Sequence, residues 1–197
     1  VYRTVPAASK GLLSTILSKY DILVIQSIVR SSHAKLLNTD SIKDIISVTE
    51  VFHKDFLDQG NFDLTSLYNE LKGTKYHLVM EKHLEELRKG EFLNFELELD
   101  LLYFKRLLIE AKSLPAKQYV KRIIDLHNVS LVLKGLDPII SGGKIHVNQL
   151  QSFTKNLSLT QLVDLLNNHG YDVQDADTPA QIERRMYQNL AIFAKQL

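Results

Sequence analysis

The sequence has no cysteine among its 197 residues. This absence excludes disulfide frameworks, thiolate zinc sites and thiol nucleophiles, and it fits a cytoplasmic protein. The seven histidines do not replace the missing ligands, because none pairs with another at four-residue helical spacing around an acid. We therefore predict that the protein has no metal site.

Long apolar runs and an excess of one charge are missing too. The longest run of branched aliphatic residues, Ile22 to Ile25, is far shorter than the ~20 residues that cross a bilayer. Lys and Arg number 24 against 23 Asp and Glu, which leaves a formal charge of +1. No global field therefore attracts nucleic acid or anionic lipid, and such a partner would need a local patch. We predict no membrane span and no nucleic-acid partner.

Phosphate-binding and hydrolase motifs are absent as well. Only eight glycines occur, and the pair Gly142 and Gly143 lacks the Lys-Ser/Thr and the strand-to-helix context of a phosphate loop. No dinucleotide fingerprint or nucleophile elbow is present. We predict that the protein needs no cofactor.

Three acids lie close together at Glu96, Glu98 and Asp100, a spacing that could suggest paired catalytic carboxylates. On a helix, however, Asp100 lies near the bases Lys105 and Arg106, and a solvated, ion-paired helix face is the commoner outcome. The sequence therefore predicts no catalytic residues.

The chain does contain an internal repeat, which is clearest when Asp21 is aligned with Asp125 at an offset of 104 residues. Each acid opens a run with aliphatic residues three and four positions apart, and each run ends in a base, Arg30 or Lys134. This pattern predicts two helices, each capped by its acid and buried on one face.

A second part of the repeat aligns at an offset of 95 residues. Residues 64–76 then match residues 159–171, including Tyr76 with Tyr171. Long internal repeats usually fold as related modules, so we predict repeated helical units that are related by pseudo-symmetry and can be superposed. The alternative is that leucine-rich amphipathic helices resemble one another by chance, since the helical period carries little information.

Helical periodicity dominates the rest of the chain, and no strict alternation predicts a sheet, so we predict an all-α fold. A linker and a short helix should precede the first motif helix, from Asp21 to about Leu37, and the second should run from Ala116 to Leu136. Asp63, Ser158 and Thr178 are candidate helix caps, as is a box of Ser41 with Asp44. Pro115 should push Leu114 out of the helical region, so the first unit should end there. We therefore divide the chain into residues 1–116, a linker and first unit, and residues 117–197, a truncated second unit.

The residues around these helices resemble a known family, the C subunit of V-type and A-type rotary ATPases, called d in the eukaryotic enzyme. The family's Asp-Leu-x-Asn-hydrophobic motif, on a helix that ends in a base, is matched by Asp125, Leu126, Asn128, Val129 and Lys134. Asp100, Tyr103, Phe104 and Leu107 also stand where the family places them, and Ile140 to Ile145 is similar to its Gly-Gly turn. The first copy departs from the motif, because Val24 replaces the Asn.

The resemblance implies a non-catalytic subunit on the cytoplasmic face of the membrane. Such a protein couples the central stalk of the ATPase to the membrane rotor ring, and both are the implied partners. Family chains are longer and have a third copy of the unit, so we expect this sequence to be the middle of a larger subunit. The alternative is a generic α-helical repeat scaffold that binds protein or nucleic acid.

The bases at the ends of the motif helices are candidate partner-binding residues: Arg30, Lys35 and Lys134. Both copies keep a base at the same distance from the opening acid, although the fold alone would accept any polar residue there. A base near a helix C-terminus also stabilises the helix dipole without a partner. We assign structural roles in the repeat motif to Asp21, Asp125, Asn128, Asp100 and Tyr103.

Overall fold

The computed structural model describes residues 7–34, 49–52, 56 and 62–196. Within this part of the chain all regular structure is helical, which confirms the all-α prediction. The described helices, in chain order, are α1 (Ala7–Ala34), α2 (Leu64–Glu70), α3 (Lys75–Arg88), α4 (Leu93–Glu110), α5 (Leu114–Leu133), α6 (Val147–Lys155), α7 (Leu159–Asn168) and α8 (Pro179–Ala194).

The chain forms two compact units, unit 1 (Val1–Glu110) and unit 2 (Ala111–Leu197). In unit 1, α1 packs along α4 and against α2, and α3 packs against both α2 and α4. The predicted apolar stripe of α1 is fully buried, and it consists of Ile22, Ile25, Ile28 and Val29. Burial of four such side chains stabilises unit 1 by about 1.5 to 3 kcal/mol each before the entropic cost of folding is counted.

The separate short helix predicted before Asp21 is wrong, because α1 is one continuous helix of 28 residues, Ala7–Ala34. The part of the predicted linker before Ala7 lies outside the described residues. Asp21 lies in the middle of α1 and is 1% exposed, so it does not cap a helix. No proline interrupts the segment from Ala7 to Ala34, and the buried stripe can therefore extend a helix past Asp21 in both directions.

By length and composition alone, the part of α1 from Lys10 to Ala34 could cross a membrane. However, 44% of its apolar window is buried inside the protein, and the core helix of a globular protein passes the same test. Its packing against α4 accounts for the apolar composition.

In unit 2, α5 packs against α6 and α8. Ser113 caps α5, which begins at Leu114 with Pro115 in its first turn. The prediction that Leu114 stays outside the helix is therefore wrong. A proline in the first turn removes no intrahelical hydrogen bond, since the N–H groups there have no partner within the helix. The boundary predicted between residues 116 and 117 falls inside this first turn.

The core of unit 2 lies where α5 to α8 and the segment after α7 meet. Its main buried residues are Leu126, Val129, Val132, Ile145, Leu150, Leu162, Leu166, Tyr171, Val173, Ile182 and Met186.

Three predicted helix caps are confirmed. Asp63 accepts from the Ser66 N–H at 2.7 Å and starts α2, Ser158 caps α7, and Thr178 caps α8 with proline in its first turn. The predicted box of Ser41 with Asp44 lies outside the described residues.

Candidate functional site

The most connected polar residue of unit 2 is Asp125, which is fully buried on α5. Its Oδ2 accepts hydrogen bonds from the Tyr171 hydroxyl at 2.6 Å and from the Lys144 backbone N–H at 2.9 Å. Its Oδ1 accepts from the Ile145 backbone N–H at 3.2 Å. The carboxylate thus ties α5 to the loop before α6 and to the segment after α7.

The loop approaches Asp125 so closely that residue 143 must be glycine. A Cβ atom on Gly143 would lie 2.0 Å from Asp125 Oδ1, well inside van der Waals contact. Burial raises the pKa of the Asp125 carboxyl above its ordinary value, and the hydrogen bonds from Tyr171 and the two N–H groups oppose that rise.

Unit 1 contains a similar arrangement around Asp21 of α1. The Tyr76 hydroxyl lies 3.1 Å from Asp21 Oδ2, and the Glu50 backbone N–H donates to Oδ1 at 2.9 Å. Burial again raises the pKa of the carboxyl, against the hydrogen bonds from the Glu50 N–H, the Tyr76 hydroxyl and the Val51 N–H. We call these two arrangements the Asp–Tyr clusters.

Each cluster also has a lysine whose ammonium lies over the tyrosine ring. In unit 1 the Lys75 ammonium lies 4.8 Å from the centroid of the Tyr76 ring, and in unit 2 the Lys144 ammonium lies 5.0 Å from that of Tyr171. The aspartate and tyrosine joined in each unit are those that the sequence aligned at offsets of 104 and 95. Superposition of the two units remains a prediction.

The structural role predicted for both aspartates takes a different form from the helix cap that the sequence suggested. Asp125 lies more than two turns inside α5, whose cap is Ser113. A carboxylate can open an apolar run without opening the helix, because a buried acid that accepts three hydrogen bonds is tolerated inside the core.

Asn128 gives unit 2 a link that unit 1 does not have in the same position. Its Nδ2 donates to the Ile140 carbonyl at 2.7 Å, and its Oδ1 accepts from the Ile140 N–H at 3.2 Å. All four groups are buried, so the amide satisfies both backbone groups of this loop residue. The aligned residue Val24 is apolar and 1% exposed.

Of the three candidate partner-binding bases, Arg30 has a described intramolecular partner. Its Nε and Nη2 donate to the two carboxylate oxygens of Glu96 on α4, both at 2.6 Å. The Arg30 side chain remains 63% exposed. Lys134 is the exposed C-cap residue of α5, and Lys35 lies outside the described residues. Arg30 belongs to unit 1 and Lys134 to unit 2.

The acids of α4 form ion pairs with other helices. Asp100 binds the Lys19 ammonium at 2.7 Å, and this ammonium also lies 5.4 Å from the centroid of the buried Tyr103 ring. Glu98 accepts from Lys82 at 2.6 Å and lies 2.7 Å from His83. The sequence had suggested bases of α4 itself as partners for Asp100, and it missed Lys19 because that contact joins residues 81 positions apart.

Within the described ranges, no cluster of three or more His, Asp or Glu residues has the geometry of a metal site. The polar groups described above are joined to one another and link elements of the fold.

The polar residues of this chain thus connect its helices and loops. Comparison with known proteins identifies the family. A sequence model of the ATP synthase (C/AC39) subunit family matches residues 1–197. The chain belongs to this family. The match confirms the resemblance seen in the sequence motifs.

Three curated relatives are each described as the C subunit of an A-type ATP synthase. That from Thermoplasma volcanium is 23% identical over 93% of this chain and 58% of its own length. That from Pyrococcus horikoshii is 28% identical over 67% of this chain and 36% of its own length. That from Methanocaldococcus jannaschii is 24% identical over 68% of this chain and 36% of its own length. The chain thus spans between about a third and three fifths of these relatives, and no solved structure matches it.

Sequence reasoning missed the partners of the two aspartates, although a signal was available. Tyr76 and Tyr171 appeared in the second alignment as repeated positions, and each is a buried aromatic residue with a hydroxyl. A buried hydroxyl and a buried carboxylate that repeat together are natural hydrogen-bond partners.

Proposed function

We propose that this chain is part of a non-catalytic subunit that couples the central stalk to the membrane rotor ring of an A-type or V-type ATPase. The observation that carries the proposal is the match of the ATP synthase (C/AC39) subunit family along the whole chain. The subunit would work on the cytoplasmic face of the membrane, and the complex would transport protons or sodium ions. The stalk and the ring are the proposed partners.

The internal connections of the chain support a mechanical role. A part that passes torque must resist deformation, and close-packed helices with satisfied buried polar groups do so. Asp21 and Asp125 each tie a helix to a distant segment of the same unit. The ion pairs of Glu96 and Asp100 add two links between α1 and α4.

We propose that Arg30, Lys35 and Lys134 contribute to docking. Lys134 is exposed and, among the described residues, forms no ion pair. Arg30 presents an exposed guanidinium whose orientation is fixed by Glu96. A fixed cation loses little side-chain entropy when it meets an acidic or polar surface.

Washed membranes test the proposal directly. The full-length subunit should stay with a rotary ATPase on membranes, and its recovery only as a free soluble species would refute the rotor role. Replacing Arg30 and Lys134 by Gln should weaken assembly, more so at low salt, with little change in melting temperature.

The variant Glu96→Gln is the matched control for this experiment. It removes the ion pair that orients Arg30 but keeps the guanidinium charge, so it should change the melting temperature slightly and weaken assembly much less than the Arg30 and Lys134 variant does. Equal loss of assembly in the control and in the Arg30 and Lys134 variant would assign Arg30 a purely structural role.

A further inference from the structure

Positive charge is concentrated in one part of unit 2. Residues 111–163 contain seven Lys and Arg against two Asp, a net charge of +5 in a chain whose total is +1. One of the two acids, Asp125, is buried and already accepts three hydrogen bonds. The surplus of cations in this region is therefore not neutralised by neighbours in sequence.

Part of this charge lines a groove of about 400 Å³ formed by Leu114, Lys117, Gln118, Lys121 and Lys144. We call it the lysine groove. Its first four residues lie at spacings of three, four and seven, so they share one face of α5 over about 10 Å. Leu114 at one end of this face is 70% exposed.

Lys144 forms the opposite wall, and its position is fixed. Its ammonium donates to the His169 carbonyl and lies 5.0 Å from the centroid of the Tyr171 ring. Desolvation and the nearby charge of Arg122 lower the pKa of Lys144, and Asp125 opposes this effect. No described acid forms an ion pair with Lys117, Lys121 or Lys144.

Stability does not explain cations at this place. The groove lies at the N-terminal half of α5, where the helix dipole is positive and acids are favoured, yet the first turn contains no acid. In unit 1, the charges of one cation, Arg106, and of two acids, Asp21 and Glu50, act on Lys75, whereas those of one cation, Arg122, and of one acid, Asp125, act on Lys144. The lysine groove therefore has a surplus of positive charge that an external anion would balance.

We infer that the lysine groove docks an acidic helix of a partner protein, with carboxylates one turn apart facing Lys117 and Lys121 and an apolar residue against Leu114. The linear arrangement favours a helix over a compact anion such as phosphate, which would need its donors converging on one point. The apolar end of the groove likewise matches an amphipathic helix. This docking can be measured on the isolated chain, so its test does not depend on the rotor role.

The test uses a labelled, alanine-based helical peptide with glutamates four residues apart and a leucine one turn away. Its affinity for the 197-residue chain is measured by fluorescence anisotropy at low and at physiological ionic strength. We expect tighter binding than that of the same peptide with Gln for Glu. The variant Lys117→Gln with Lys121→Gln should raise the Kd about three- to tenfold, as expected for two exposed ion pairs.

A matched control removes two exposed lysines outside the groove, Lys89→Gln with Lys155→Gln, and should bind as the wild type does. Circular dichroism establishes that both variants fold. Equal affinity of the groove variant and the control, or equal affinity for the Glu and Gln peptides, would overturn the inference. Binding to phosphatidylserine vesicles but not to the peptide would also overturn it and assign the groove to a lipid surface.

Discussion

The two Asp–Tyr clusters differ in the length of the bond from tyrosine to aspartate, 3.1 Å in unit 1 and 2.6 Å in unit 2, and in how the neighbouring loop is held. Asp125 accepts from two consecutive loop N–H groups and from Tyr171, and Asn128 secures the same loop through Ile140. Asp21 likewise accepts from two consecutive N–H groups, those of Glu50 and Val51, and from Tyr76, but the Tyr76 hydroxyl also donates to the Ser18 carbonyl at 3.3 Å. Val24 stands where the second copy has Asn128. The acid and the hydroxyl are common to both units, whereas the anchoring of the loop is stronger in unit 2.

Removing the carboxylates should give the largest effects and should rank the two clusters. Asp125→Ala leaves one hydroxyl and two N–H groups without their acceptor and should destabilise unit 2 by about 3 to 5 kcal/mol. Asp21→Ala should cost unit 1 less, about 2 to 4 kcal/mol, because the Tyr76 hydroxyl still has the Ser18 carbonyl as an acceptor at 3.3 Å. Hydrogen exchange resolved by mass spectrometry reports each unit separately. A larger loss of protection in unit 1 would contradict the ranking.

Replacing Asn128 by valine, the residue at the aligned position of unit 1, tests how much the Asn128 hydrogen bonds contribute to unit 2. Asn128→Val leaves the buried N–H and carbonyl of Ile140 unpaired and should cost about 2 to 4 kcal/mol. In unit 1, the change Val24→Thr places a hydroxyl in an apolar site and should also lower the free energy of unfolding. Together the two results would mean that each residue suits its own unit. Urea denaturation measures both. An unchanged free energy of unfolding for Asn128→Val would mean that water replaces the amide.

A smaller effect concerns pH, since burial raises the pKa of both aspartates. An acid whose pKa is higher in the folded state contributes stability below its unfolded pKa and loses it as pH rises through the folded value. Wild type should therefore lose stability relative to Asp125→Asn between pH about 4 and neutrality. Glu86 and Glu98 have lowered pKa values and give stability the opposite dependence on pH. Both residues are present in wild type and in Asp125→Asn, so their contribution cancels in the difference between the two proteins. A constant difference across this range would contradict the raised pKa.

Local signals in the sequence predicted the helices and several of their ends correctly. Ser158 and Thr178 cap their helices through side-chain contacts with N–H groups three residues on, so the information is contained in a few adjacent residues. The buried face of α1 followed from the spacing of its aliphatic residues in the same way.

The polar connections could not be predicted in this way, because they join distant residues. Asp21 looked like a cap because an acid that starts an apolar run usually is one, and the short helix predicted before it was not joined to the motif helix although no proline separates them. The contact from Lys19 to Asp100 depends on how α1 packs on α4. Periodicity shows which face of a helix is buried, but it does not show which helix covers that face.

The central claim is that an aspartate and a tyrosine form the same energetic link in both units. Double-mutant cycles measure it, with Asp21→Asn and Tyr76→Phe in unit 1 and Asp125→Asn and Tyr171→Phe in unit 2. We expect a favourable coupling free energy of about 1 to 2 kcal/mol in each cycle, since both hydroxyls bond to a buried carboxylate. Coupling in only one unit, or none in either, would contradict the account.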